Sequence, residues 1–101
     1  MVIVCGVLTG LNKGAFENCG SLTSITIPNG VPNIELRMFA NCSSLKSVTI
    51  PRSITLIKAQ AFYNCSNLKI VNYKGTTEEW KFIYIDSDND YLKNAKINYI
   101  K

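Results

Sequence analysis

A period of 23 residues runs through the sequence and restricts its fold more than any other feature. Residues of like chemistry recur at this spacing in columns. The columns are Phe16, Phe39 and Phe62; Asn18, Asn41 and Asn64; Cys19, Cys42 and Cys65; Leu22, Leu45 and Leu68; Ile25, Val48 and Val71; Ile27, Ile50 and Tyr73; Pro28 and Pro51; Val31 and Ile54; and Ile34 and Ile57. A fixed internal period of this length is typical of solenoids, in which stacked units bury a shared core.

Each unit contains one predicted strand. The segment Leu22–Ile27 carries apolar residues at its first, fourth and sixth positions. Because successive side chains of a strand point to opposite faces, Ile25 and Ile27 are predicted to face the core, and Ser24 and Thr26 to face outward. Stacking the units then gives every strand a hydrogen-bonded neighbour about 4.8 Å away.

The rest of the unit returns the chain to the start of the next strand. Pro28 and Pro51 are predicted to end their strands, since proline cannot donate the next ladder hydrogen bond. A return limb through Val31 and Ile34 is then predicted to lead into a short helical turn that holds Phe39.

The pattern resembles the BspA-like leucine-rich repeat family. The segments that carry the resemblance are residues 15–22, 38–45 and 61–68, with the Ile-Pro pairs Ile27-Pro28 and Ile50-Pro51. The resemblance implies a surface or secreted protein that binds a partner, with an extracellular or cell-surface location. A shared fold does not define a ligand, however, so the resemblance does not identify the partner.

Repeat and resemblance together predict a right-handed leucine-rich-repeat solenoid of the α/β class, with short parallel strands, short helical turns and a C-terminal cap. The array is predicted over residues 1–75, with a partial repeat at 1–11 and repeats near 12–34, 35–57 and 58–75. The cap is predicted over residues 76–101. Thr76 and Glu79 form a capping box that predicts a helix start there. Trp80, Ile83 and Tyr84 are expected on one face of that helix, and Lys96 to Ile100 are expected to form a last strand.

The repeat register reaches back to Val2 and Val4, which would form an open edge strand. Such an edge invites pairing with another chain. We therefore expect either further repeats before this point, which we favour, or self-association through Val2–Val4. The apolar run Met1–Cys5 is far shorter than the roughly 20 residues of a membrane-spanning helix, and it lacks the features of a signal peptide. Membrane insertion is not expected.

Composition argues against several function classes. The chain has no histidine, which removes the commonest general base and any Ser-His-Asp arrangement. The net charge of +4 is mild, and no two basic residues are adjacent, so a nucleic-acid-binding arm is not expected. With no phosphate-binding glycine loop either, we expect neither an enzyme nor a cofactor.

Cysteines and acidic residues favour structural readings over metal sites. Cysteines spaced by 23 along one line give no tetrahedron for zinc, so a ladder of free, buried thiols is expected, with a bridge between neighbours as the lesser alternative. The segment 86–90 has alternating aspartates, but Tyr91 and Ile97 stand where a calcium loop needs glycine and glutamate. A solvated turn is favoured there.

The asparagine column is predicted to satisfy backbone groups of buried turns. Asn41-Cys42-Ser43 and Asn64-Cys65-Ser66 also match glycosylation sequons. If the asparagines are buried as predicted, these two sequons are not glycosylation sites.

Outward strand positions are where repeat proteins usually bind. The candidate partner-binding residues are Thr23, Lys46 and Lys69; Ser24, Ser47 and Ile70; Thr26, Thr49 and Asn72; and Arg52. One hypothesis is a binding module that presents this polar, mildly basic face to a protein or a glycan. The alternative is a structural spacer or terminal piece of a larger cell-surface protein, in which threonine ladders merely stabilise the sheet.

Overall fold

The structure is a computed structural model that describes residues 16–100. Its elements in chain order are β1 (Ser24–Thr26), β2 (Asn33–Ile34), β3 (Ser47–Pro51), β4 (Leu56–Ile57), β5 (Ile70–Lys74), α1 (Thr77–Phe82), β6 (Tyr84–Ile85), α2 (Asp90–Lys93) and β7 (Lys96–Tyr99). The strands form two parallel sheets, ordered β1-β3-β5-β7 and β2-β4-β6. The predicted solenoid of short parallel strands is confirmed.

The first sheet follows the predicted 23-residue register. Ser24 pairs with Ser47, and Ser47 pairs with Ile70. Pro51 is the last residue of β3, as expected for a residue that cannot donate a ladder bond. The last step differs, because Ile70 pairs with Lys96, 26 residues further on.

The second sheet was not predicted. The return limbs of two repeats and the cap contribute strands of two residues each, with Ile34, Ile57 and Ile85 in register. Ile34 and Ile57 are fully buried. Each unit is therefore hydrogen-bonded to the next on both of its limbs.

The core between the two sheets contains a column of stacked rings. The centroids of Phe16 and Phe39 are 5.4 Å apart, and those of Phe39 and Phe62 are 5.2 Å apart, with nearly parallel planes. Leu22, Leu45 and Leu68 are buried in the same cluster. The predicted Phe and Leu columns are confirmed.

The segments that carry the phenylalanines are successive tight turns and not a helical turn. The N–H groups of Met38, Ala40 and Cys42 each donate to the carbonyl three residues earlier. Arg37 and Gln60 have positive φ values of 57° and 59°. This left-handed conformation interrupts a helix, so the prediction of a short helical turn at Phe39 is wrong.

Backbone N–H groups between these turns donate to the following unit. Phe16 donates to the carbonyl of Met38 at 2.8 Å, and Phe39 donates to that of Ala61 at 2.7 Å. We call this set of bonds the turn ladder. At Phe62 the acceptor is the side-chain oxygen of Asn89, at 2.8 Å.

The capping box is present, with Glu79 N–H donating to Thr76 and Thr76 N–H donating to Glu79. The strand expected near Lys96 is also present, as β7. The expectation that Tyr84 shares a helix face with Trp80 is wrong. The backbone becomes extended at Ile83, directly after α1, and Tyr84 begins β6.

Two expectations concern residues outside 16–100. These are the partial repeat at 1–11 and the edge strand Val2–Val4, and they stay predictions. Within the described part of the chain, neither helix has the length and apolarity to cross a membrane.

Candidate binding face

The outward side of the first sheet brings the predicted residues together. We call this surface the strand face. Two columns of residues cross the strands in register. A third column lies beside them and consists of the residues that directly precede the strands. The crossing columns are Ser24, Ser47 and Ile70, and Thr26, Thr49 and Asn72; the flanking column is Thr23, Lys46 and Lys69. Their side chains are exposed or half-buried, while Val48, Ile50 and Val71 between them are buried.

The flanking column is held by backbone hydrogen bonds. Lys46 N–H donates to Thr23 at 2.8 Å, and Lys69 N–H donates to Lys46 at 3.0 Å. At the cap, the Lys96 N–H donates to the Lys69 carbonyl at 2.8 Å, which is the equivalent of the bond from the Ile70 N–H to the Lys46 carbonyl at 3.2 Å. Lys46 and Lys69 therefore lie in register just before β3 and β5, and Lys96, the first residue of β7, lies one register position further along. We call these three exposed lysines the lysine row.

None of these lysines forms an ion pair within residues 16–100. The ion pairs there join Arg37 to Glu17 at 2.8 Å, Lys58 to Glu35 at 2.8 Å, and Arg52 to Glu79 at 3.5 Å. The positive charge of the lysine row is therefore left for solvent or a partner.

Sequence reasoning missed the part of the face that the cap supplies. Lys96 is in register with Ile70, and Asn98 is in register with Asn72 and donates from its amide to the Asn72 side chain at 3.1 Å. The alternation of Lys96, Ile97 and Asn98 was a usable signal, but the change of spacing from 23 to 26 residues hid their place in the columns.

Arg52 lies apart from the lysine row, beyond the end of β3. It lines a shallow pocket of about 390 Å³ at the strand ends, together with Thr26, Pro28, Thr49 and Lys74. Arg52 also borders a smaller hollow of about 180 Å³ against the cap. Its contact with Glu79 leaves it less available to a partner than the lysines.

Two ionisable side chains at the junction with the cap, Tyr73 and Glu79, have pKa values shifted by their surroundings. Burial, and then the charge of Glu79, raise the pKa of Tyr73. The Thr76 N–H lowers the pKa of Glu79, and Arg52 adds to that effect. Gly75 is required beside them, because a Cβ there would lie 2.6 Å from the Tyr73 ring.

The thiols are placed for packing. The Cys42 thiol donates to the Phe16 carbonyl at 3.1 Å, and the Cys65 thiol donates to the Phe39 carbonyl at 3.0 Å. Burial raises the pKa of both and brings Cys65 to about 12, which removes thiolate character at neutral pH. These two are free and buried as predicted, but Cys19 is disulfide-bonded, so that prediction is wrong at Cys19.

The aspartates of segment 86–90 serve local structure. Asp86 accepts from the Ser87 N–H at 2.7 Å, Asp88 accepts from the Gln60 amide at 3.3 Å, and Asp90 begins α2. Among residues 16–100 no cluster of three or more His, Cys, Asp or Glu side chains could hold a metal ion.

The asparagine column differs from the prediction. Asn18, Asn41 and Asn64 all have φ near 60° and are exposed or half-buried, so their predicted burial is wrong. Their amides bond to one another, from Asn41 to Asn18 at 2.9 Å and from Asn64 to Asn41 at 3.1 Å. Asparagine tolerates the left-handed conformation better than most residues, which explains the column.

Comparison with known proteins agrees with this geometry. The model described as "BspA type Leucine rich repeat region (6 copies)" matches residues 6–99. Among solved structures, the chain is similar to a leucine rich cell surface protein from Faecalibacterium prausnitzii, with 41% sequence identity and a TM-score of 0.63. The similarity covers 68% of this chain and 18% of that one.

No curated protein matches the sequence. The family match nevertheless spans nearly all of the chain and includes the strands, the turns and most of the cap. With its repeats stacked in the register that the structure shows, the chain belongs to the BspA-type leucine-rich repeat family.

Proposed function

We propose that this chain is a non-catalytic binding module of a cell-surface protein, which presents its strand face to a protein or glycan partner. The observation that carries the proposal is the lysine row. Like charges directly opposite each other are destabilising, yet Lys46 and Lys69 lie in register, and neither they nor the adjacent Lys96 have an ion-pair partner within residues 16–100. Stacking of repeats gives no reason to place them side by side.

The proposed location rests on the family and on the cell-surface protein that the chain resembles. The proposed lack of catalysis rests on the absence of histidine and on the burial of Cys42 and Cys65.

A structural spacer remains the second candidate, because of the first two strands. There the outward residues are Ser24, Thr26, Ser47 and Thr49, which form hydroxyl ladders of the kind that stabilise a sheet without a ligand. A spacer would bind nothing through this face.

The test compares capture of extracellular-matrix proteins and glycans by the immobilised chain and two variants. Lys46→Glu/Lys69→Glu reverses two charges on the strand face. The control Lys81→Glu/Lys93→Glu makes the same change of net charge on exposed residues of α1 and α2.

We expect the face variant to lose most of the capture and the control to keep it. Equal capture by wild type and both variants would remove the strand face as the site. No capture by any of them, above that of a blank surface, would favour the spacer. Circular dichroism of each variant confirms that it is folded before comparison.

A further inference from the structure

The strand face carries a more specific inference, which rests on the proposed function. We infer that its ligand is an anionic polysaccharide, which lies across the strands with sulfate or carboxylate groups on Lys46, Lys69 and Lys96.

The lysine row brings together three exposed cations from three successive units, with Lys46 and Lys69 in register and Lys96 one register position further along. Backbone bonds of 3.0 and 2.8 Å join Lys46, Lys69 and Lys96 on successive strands. With strands about 4.8 Å apart, the three Cα atoms span roughly 10 Å across the sheet. A linear polyanion that crosses the units therefore passes Lys46 and Lys69 in register and Lys96 one register position further along.

The strands that form the strand face carry no acidic side chains. The acidic residues within 16–100 are Glu17, Glu35, Glu78, Glu79, Asp86, Asp88 and Asp90. None of them is in β1, β3, β5 or β7. Glu17 and Glu35 instead neutralise Arg37 and Lys58, which are the basic residues of the turns and the second limb. The array therefore presents separated charge, with its unpaired cations on the strand face.

The groups beside the lysine row suit a sugar. Ser47, Thr49, Asn72 and Asn98 present hydroxyls and amides, and the Asn98–Asn72 amide pair leaves further donors and acceptors open. Such groups can bond sugar hydroxyls while the lysines hold the acidic substituents.

The same surface is a poor match for a protein or a single-stranded nucleic acid. Protein interfaces depend on buried aromatic or arginine anchors, but Ile70, at 38% exposure, is the apolar residue of the outward columns in the described strands. Bases stack on aromatic side chains. Tyr99 of β7 is 41% exposed, but it lies in register with the buried Tyr73 and packs edge-on against that ring, outside the outward columns of the strand face.

The experiment titrates the chain with a heparin-derived octasaccharide and measures affinity by calorimetry. We expect binding that weakens steeply between 50 mM and 300 mM salt, because exposed charges are screened. A desulfated, carboxyl-reduced octasaccharide of the same length should not bind.

Two variants locate the site. Lys46→Gln/Lys69→Gln should weaken binding roughly tenfold or more, as loss of two charged contacts implies, whereas the control Lys81→Gln/Lys93→Gln should change it less than about twofold. Lys96→Gln should weaken binding severalfold on its own, although Lys96 comes from the cap. Equal weakening by the double variant and its control would overturn the lysine row as the site.

Two further ligands, a glutamate decapeptide and a single-stranded oligonucleotide, test the class of partner. If either binds as tightly as the octasaccharide at equal salt, the assignment to a polysaccharide is wrong. If the octasaccharide does not bind but capture of matrix protein still depends on Lys46 and Lys69, this inference fails and the proposed function stands. If neither occurs, both fail.

Discussion

The side-chain oxygen of Asn89 accepts the backbone N–H of Phe62 at 2.8 Å, where a carbonyl of a further repeat would otherwise lie. The Asn89 amide nitrogen donates at 3.1 Å to the carbonyls of Lys58 and Asp86, and the residue is fully buried. One side chain thus takes the place of a backbone acceptor at Phe62 and joins the array to the cap, while the neighbouring Gln60 N–H still donates to a backbone carbonyl, that of Ser87, at 2.9 Å.

Replacement of Asn89 should be strongly destabilising. Asn89→Leu leaves the buried Phe62 N–H and the Lys58 carbonyl without partners, which at 1–3 kcal/mol per group implies a loss of about 3 kcal/mol. Urea unfolding followed by circular dichroism measures it. Asn94→Ala, at an exposed position after α2, is the control and should change stability by less than about 0.5 kcal/mol. Equal effects would contradict the role given to Asn89.

The stacked rings give a second test, with a control of the same residue type. Phe39 is fully buried between two rings, whereas Phe82 is 86% exposed. Phe39→Ala should cost about 4 kcal/mol through lost burial and a cavity. Phe82→Ala should be nearly neutral. Thermal unfolding of the two variants measures both changes in unfolding free energy. A loss below about 1 kcal/mol for Phe39→Ala would mean that the stacked rings contribute little to stability.

Gly75 provides a third test at the start of the cap. An alanine Cβ there would lie 2.6 Å from the Tyr73 ring and 2.9 Å from the Glu79 carboxylate, so Gly75→Ala must displace the ring or the capping box. We expect a loss of about 1–3 kcal/mol. Gly20→Ala is the matched control, because a Cβ there would have the Ser43 hydroxyl oxygen, 4.0 Å away, as its neighbour. Denaturant midpoints that fall equally for both would refute the close approach.

The buried thiols predict a loss of stability at alkaline pH. Cys65 keeps its proton in the folded state up to a pKa of about 12, against 9.0 for an ordinary thiol. Above pH 9 the unfolded chain therefore binds fewer protons than the folded one, and the unfolding free energy falls by up to about 1.4 kcal/mol per pH unit. The loss begins near pH 9 and is complete near pH 12.

Urea midpoints between pH 8 and pH 10.5 measure this effect. Cys65→Ala lowers stability at every pH but removes the thiol, so its unfolding free energy should fall less steeply than that of the wild type. Parallel curves for the two proteins would show that Cys65 does not titrate differently on folding.

The sequence predicted the fold where one residue type must fill one place in every unit. Phe39 has a ring above and a ring below it, so its identity recurs at 23 residues and reveals the stack. The strand register followed for the same reason, because Val48 must lie between Ile25 and Val71.

Other features left weaker signals. The second sheet has strands of two residues, such as Asn33–Ile34, which are too short to show alternation. The positive φ of Arg37 and Gln60 could not be predicted, because neither residue type favours the left-handed conformation. In the candidate site, the three array strands were predicted, whereas Lys96 and Asn98 joined the face through a cap whose spacing departs from the period.

The turn ladder also gives the molecule a polarity. The hydrogen bonds that the backbone N–H groups of Phe16, Arg37 and Phe39 donate all run toward the following unit, so each turn offers donors on one side and acceptors on the other. If a further 23-residue repeat were inserted in the same orientation, its turn would offer N–H groups to the carbonyls of one neighbour and carbonyls to the N–H groups of the other. An inverted repeat would instead place N–H groups against N–H groups.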